Sequence, residues 1–304
     1  MKRHAASLLA GFVLFVVASA SVRAAEPQAQ QPAPPAAASA TAESEPAAPD
    51  CHQAEFAEND RAAGYLLDYD RAAWLTTDLL RAEPDHASAK LSREWFCYED
   101  AGVWHAVYGY YEEGKPYEVA YHYVAKGKTF ERSKEAPDPA RVALYPAVLH
   151  AAEQRLPEQL KQYRGFFNVY VRPLKDGKIE VRYIPARQEK FVVVGADLAY
   201  IFDAATREFV RADEAISERG LEGIKRSAEG TLGILNFARD VATPGQIFQV
   251  RSLRRQFKMI VVFSKRCSTT VLQDGGEFVA WMHVLREDPP AEPKTPQTPP
   301  AESR

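Results

Sequence analysis

Between Glu94 and Val124 hydrophobic residues recur with a period of two, and no other feature restricts the possible folds of this chain as tightly. Glu94 to Asp100, Val103 to Tyr111 and Tyr117 to Val124 are rich in aromatic and β-branched residues, the types that fit a pleated, half-covered surface. Ala101-Gly102 and the stretch Glu112 to Pro116 separate them, so an antiparallel meander is expected.

The flanking sequence changes period. Residues 54 to 82 place Leu66, Leu67, Trp74, Leu75, Leu79 and Leu80 near helical spacing, with an interruption expected at Gly64 and Asp68-Tyr69-Asp70 and an end at Pro84. Asp138-Pro139 is an N-cap followed by proline at the first helical position; it opens a helical stretch to Tyr163 that Pro146 and Pro157 should kink or divide. Phe167 to Leu174 and Ile179 to Ile184 flank Asp176-Gly177, a strong hairpin signal. Strands are expected at Phe191 to Val194, Leu198 to Phe202, Glu208 to Arg211, Leu232 to Phe237, Ile247 to Val250, Met259 to Phe263, Thr269 to Leu272 and Phe278 to Val284. A short helix is expected near Asp213 to Arg226, and Asp274-Gly275-Gly276 should turn the last strand pair. Helices that are few and segregated from the strands predict an α+β fold, with Pro-interrupted helices packed on antiparallel meanders and hairpins.

The ends read differently. Met1 to His4 is positive, Ser7 to Ala18 is uncharged and apolar, and small residues follow to Ala24, the order of a secretory signal peptide over residues 1 to 24. Residues 25 to 50, of Ala, Pro, Gln, Ser and Glu, predict a disordered linker, and the Pro-rich stretch 289 to 304 predicts a disordered tail. The folded part is therefore 51 to 288, long enough for one domain or for two packed subdomains meeting near residue 165. No second apolar stretch reaches membrane length, so no membrane span is expected after cleavage. The address is periplasmic or extracellular.

Without Lys2, Arg3 and Arg23 of the leader, the 38 basic residues fall to 35 against 41 acidic ones. Arg254-Arg255 and Lys265-Arg266 are tight basic pairs at strand ends, and no basic stripe accompanies them, so nucleic acid is not an expected partner. Of three cysteines in an exported chain at least one lacks an intramolecular partner. Cys97 with Cys267 and Cys51 with Cys97 are the favoured pairings, with no bridge close behind.

No motif announces chemistry. Gly109 to Pro116 lacks the hydroxyl that ends a phosphate loop, and Gly127-Lys128-Thr129 has His122 where the leading glycine belongs. No nucleophile elbow, zincin helix or Cys-x-x-Cys occurs, and no cofactor is implied. Asp68 and Asp70 would share a face on a strand but diverge on a helix. His105 and His122 depend on register. A two-residue turn at Glu113-Gly114 sets them opposite each other, whereas a five-residue loop points them to opposite faces; even facing, they need a third ligand to bind metal, and none is assigned.

The meander is dense in tyrosine, and Tyr108, Tyr110, Tyr121 and Tyr123, with His105 and His122, are the candidate binding residues. Two functional readings stay open. One is an exported binding or envelope-associated module whose aromatic sheet contacts an envelope protein or polymer. The other is an exported hydrolase with a non-local histidine and carboxylate site around His105 or His122. A structural assembly subunit would instead show exposed sheet edges or an apolar patch.

Overall fold

A computed structural model describes residues 51–163, 166–188, 191–217, 219–236, 238–274 and 276–286. The expected signal peptide, linker and tail, and Gly275 of the last turn, lie outside the described residues. The fold is α+β, with helices packed on antiparallel sheets.

Helix α1, Gln53–Ala82, runs unbroken for 30 residues, about 45 Å. The interruption expected at Gly64 and Asp68-Tyr69-Asp70 does not occur. Phe56, Ala63, Leu66, Tyr69, Ala72 and Leu80 fall on one stripe and are all buried, and packing of that stripe outweighs weak local propensity. The helix lies on the meander of β1 (Phe96–Asp100), β2 (Val103–Tyr110), β3 (Glu118–Lys126) and β4 (Thr129–Arg132), paired in sequence order. Ala101 and Gly102 both have positive φ, as a two-residue hairpin turn requires.

Helix α2, Pro139–Gln154, starts where Asp138 accepts hydrogen bonds from the backbone N–H of Ala140 and Arg141. Pro146 is absorbed within it, and the chain divides before Pro157, after which α3 (Glu158–Lys161) forms a single turn. A second antiparallel sheet follows in the order β5-β6-β8-β9: β5 (Phe167–Pro173), β6 (Lys178–Pro185), β8 (Ala196–Asp203) and β9 (Phe209–Ile216). Between β6 and β8 lies β7 (Phe191–Val194), which pairs with β10 (Glu222–Lys225). The helix expected near Asp213 to Arg226 is thus replaced by the end of β9, paired to β8, and by β10.

The third sheet joins β11 (Ser227–Asn236), β12 (Phe257–Ser264), β13 (Cys267–Asp274) and β14 (Glu277–Leu285). The β11 and β12 pair is parallel, and α4 (Pro244–Leu253) is its crossover. A strand was expected at Ile247 to Val250. Thr243 and Gln246 form a reciprocal capping box around Pro244, which starts a helix despite the β-branched residues that follow.

Cys51 is bridged to Cys267, with Cα atoms 5.8 Å apart, and Cys97 is a buried free thiol. Neither favoured pairing forms. Cys97 sits in the centre of the core, where its backbone N–H donates to the Tyr69 hydroxyl and burial pushes its thiol pKa well up, so it behaves as a small hydrophobe.

The lower core holds a charged network. Glu180 takes bidentate contacts from Arg172 and from Arg182, and Arg182 also reaches Asp197 at 2.6 Å. Asp197 in turn accepts from the Thr243 hydroxyl and from Gly245 N at 3.0 Å, locking the first turn of α4 to β8. A side chain at residue 245 would run into the Asp197 carboxylate, so glycine is required there. Among the described residues no helix is long and apolar enough to cross a membrane.

Candidate functional site

The histidine pair does meet, by a route neither simple register predicts. Tyr110 pairs with Glu118, the register of a five-residue loop, but a bulge at Ala120 shifts the ladder by one so that Tyr108 pairs with Tyr121. His105 and His122 become diagonal neighbours on one face, with His105 Nδ1 3.0 Å from His122 Nε2. His122 Nδ1 lies 2.9 Å from the Glu135 carbonyl, which can only accept, so this nitrogen carries a proton. In the tautomer protonated there, His122 Nε2 is the acceptor and His105 donates from Nδ1. Burial, and after it the neighbouring His122, holds the His105 pKa below its ordinary value. Tyr98 stacks flat on His105 at 4.6 Å, and Arg141 lies over the other side of that tyrosine ring. Among the described residues no group of three or more His, Cys, Asp or Glu is placed to hold a metal.

The tyrosines do not form an open wall. Tyr108, Tyr121 and Tyr123 are buried beneath α1 and the segment after it, and each hydroxyl has a partner: Thr76 at 2.8 Å, Asp85 at 2.8 Å and Glu83 at 3.0 Å. Tyr110 is half-buried, with the Lys90 ammonium 3.3 Å above its ring. Tyr108, Tyr121 and Tyr123 thus pack the meander against the helix and the segment after it.

The open aromatic surface lies elsewhere, in a cleft of about 360 Å³ between α1, the entry to β1, α2 and the β5–β6 hairpin. On α1, Asp70, Ala73, Trp74, Thr77 and Arg81 recur at steps of three and four and so share one helix face. Opposite stand Phe167, Tyr170 and Tyr183 of the second sheet, and Trp95 closes one side with its back stacked on Tyr108 at 5.3 Å. Trp74 lines the cleft and is 60% exposed, more than Leu75 and Leu79 on the same helix, each at 37%.

The base of the cleft is a polar chain. Asn168 Nδ2 donates to the Tyr170 hydroxyl at 3.3 Å, and that hydroxyl donates to Asp70 Oδ1 at 3.0 Å. Burial raises the Asp70 pKa above the usual carboxylate range, outweighing the Tyr170 hydrogen bond and the attraction of Arg187. Asp68 points outward on the same helix, so the two carboxylates diverge. Glu94 also lines the cleft and contacts His150 Nδ1 at 3.2 Å. The lining contains no Ser, Cys or His among the described residues. Chemically this is a place to stack a flat ring and to offer it a hydrogen-bonded carboxyl.

Sequence reasoning missed Trp74, Trp95, Tyr170 and Arg187 as site residues. One usable signal was present: Asp70 and Trp74, four apart on a helix, give a carboxyl and an indole on one face. Comparison of the chain with protein-family models, with curated proteins and with solved structures finds no match.

Proposed function

We propose that this chain is an exported binding module that holds a small, ring-bearing ligand, as a free molecule or as part of an envelope polymer, in the cleft beneath Trp74. The single observation that carries the reading is an indole left exposed over a cleft whose base is the Asn168–Tyr170–Asp70 chain. A half-apolar pocket with a few convergent polar groups suits a sugar or an aromatic ring. The order of charge, apolar run and small residues in the leader supports export, and a bridge between Cys51 and Cys267 suits an oxidising compartment. Histidines that spend their hydrogen bonds on each other and on Glu135 count against a hydrolase site built around His105 or His122.

Intrinsic tryptophan fluorescence tests the reading. Soluble fragments of envelope polysaccharides should quench it saturably, and Trp74→Ala should abolish the response while shifting stability by less than about 0.5 kcal/mol, as for an exposed side chain. Saturable quenching that survives in Trp74→Ala sinks the cleft as the site.

One observation favours a second reading, the assembly subunit. The outer face of the third sheet exposes Met259, Leu272, Met282 and Val284 next to the edge strand β14. Sedimentation velocity across a hundredfold range of concentration distinguishes a monomer from a self-associating chain.

A further inference from the structure

The cleft does not end at Trp74. A second, more open basin of about 810 Å³ shares Asp70, Trp74 and Arg187 with it, so the two are continuous. Arg71, Lys128, Arg187 and Arg226 line this basin, with Asp70 as its one carboxylate. The four cations come from separate parts of the chain: α1, the turn between β3 and β4, the segment after β6 and the segment after β10. Among the described residues none of the four forms an ion pair.

Other cations, Lys134 and Lys258 among them, also lack an ion pair among the described residues; what sets these four apart is that they line one concavity. Lys126 pairs with Glu131, Arg81 with Asp78, Lys115 with Glu112 and Arg141 with Asp100. In the basin Arg226 donates to the Gln188 carbonyl, and among the described residues its buried Nε finds no hydrogen-bond partner. Bringing four like charges to one concavity costs free energy, and among the described residues that line it Asp70 is the one carboxylate placed to offset any of it. An anion placed there would offset it, through forked guanidinium contacts to paired oxygens and through the field of the remaining charges.

We propose that the ligand of this module carries an anionic oxygen group (carboxylate, phosphate or sulfonate) that sits among Arg71, Lys128, Arg187 and Arg226 while its ring lies under Trp74. The proposal rests on the binding reading of the cleft and names the class of ligand it takes: a ring with an acidic substituent one short step away. Neutral rings should enter the cleft weakly, and small inorganic anions should occupy the basin weakly. Joining the two in one molecule gives the affinity of both.

A matched pair of probes tests this on the mature chain. 8-Anilinonaphthalene-1-sulfonate and N-phenyl-1-naphthylamine share a ring system, and only the first is an anion. The anion should bind at least tenfold more tightly in low salt, and 0.5 M NaCl should erase most of the difference by screening. The double variant Arg71→Gln, Lys128→Gln, at two residues that line the basin and not the cleft, should erase it too and leave the neutral probe unchanged. Trp74→Ala should weaken both probes by the same factor. Displacement of the sulfonate probe by inorganic phosphate or by acetate identifies which oxyanion the basin prefers.

Equal affinity for the two probes, each sensitive to Trp74→Ala, overturns the anionic ligand and leaves the cleft standing. Anion binding that responds to the Arg71 and Lys128 changes but not to Trp74→Ala overturns the cleft and leaves an anion site alone. Indifference of both probes to all of these changes overturns both.

Discussion

Two regions of this molecule are built from the same aromatic chemistry and put it to opposite uses. In the meander, Tyr108, Tyr121 and Tyr123 are pressed under α1 and each hydroxyl is tied to that helix or the residues just after it. In the cleft, Trp74 and Trp95 stand at the edge of the same helix contact, and Trp74 stays mostly in water. Trp95 belongs to both regions, one face on Tyr108 and the other toward the cleft. What separates the regions is the layer above them. A strand rich in tyrosine becomes core when a helix covers it and offers partners to its hydroxyls, and aromatic residues stay open to solvent where that cover stops.

The sharpest way to break this contrast is to remove a sealed ring. Tyr123→Ala should cost about 3–5 kcal/mol, as for deletion of other large buried side chains. A guanidinium unfolding midpoint within error of the parent chain would show that the meander is not sealed as described.

Acid unfolding should give the next largest effect, because the sheet that forms the far wall of the cleft is anchored by a charged network. Burial alone would push the Glu180 pKa up, but Arg182 and Arg172 outweigh it and hold the carboxyl down at about 2. A carboxylate depressed in the folded state contributes stability that is complete above its ordinary pKa near 4.5 and is lost as pH falls toward 2. The loss over that window should be roughly 3 kcal/mol. Glu180→Gln should be weaker at neutral pH and should lose less on acidification. Parallel pH profiles for the two chains would remove Glu180 from that role.

The smallest effect is predicted at the base of the cleft, with the opposite sign. Asp70 is raised by burial, so its ionisation opposes folding: the penalty is absent well below the ordinary carboxylate pKa and grows as pH rises through the folded value. Asp70→Asn keeps an acceptor for the Tyr170 hydroxyl and removes that penalty. It should therefore melt slightly higher than the parent at pH 7 and equally at pH 3, the pattern expected where a binding site is kept at some expense of stability. A lower melting point at pH 7 would place Asp70 in a structural role.

The meander was legible because its signals are local. Alternating residues in β1 to β3 and a two-residue turn at Ala101-Gly102 specify pairing within a few residues, as Asp176-Gly177 does for β5 and β6. Asp138-Pro139 likewise announced α2. Legibility ended where a competing local signal or a distant partner decided the outcome. At α4 the residues Ile247, Phe248 and Val250 read as a strand, and the capping box at Thr243 prevailed. At β9 the residues Ala212 to Ile216 became strand because β8 offers a full ladder to pair with. The bulge at Ala120 has no signature in its own segment, although it decides whether His105 meets His122. The cleft is the extreme case. Asp70, Trp95, Tyr170 and Arg187 come from four separated stretches of sequence and share no spacing that chain reading can detect.

The bridge between Cys51 and Cys267 has a mechanical consequence. It joins the residue that precedes α1 to the first residue of β13, with 216 residues of separation, and so turns most of the domain into a closed ring. Tension applied between the two ends of the chain would pass through the sulfur atoms and bypass α1, the meander and the cleft entirely. Among the described residues, β13, β14 and Arg286 lie beyond the ring and bear load, and pulling would peel the two strands from the third sheet first. The contour released in such an experiment should be that of residues 268 to 286 alone, about 65 Å, until a reductant opens the ring and lets the remainder extend.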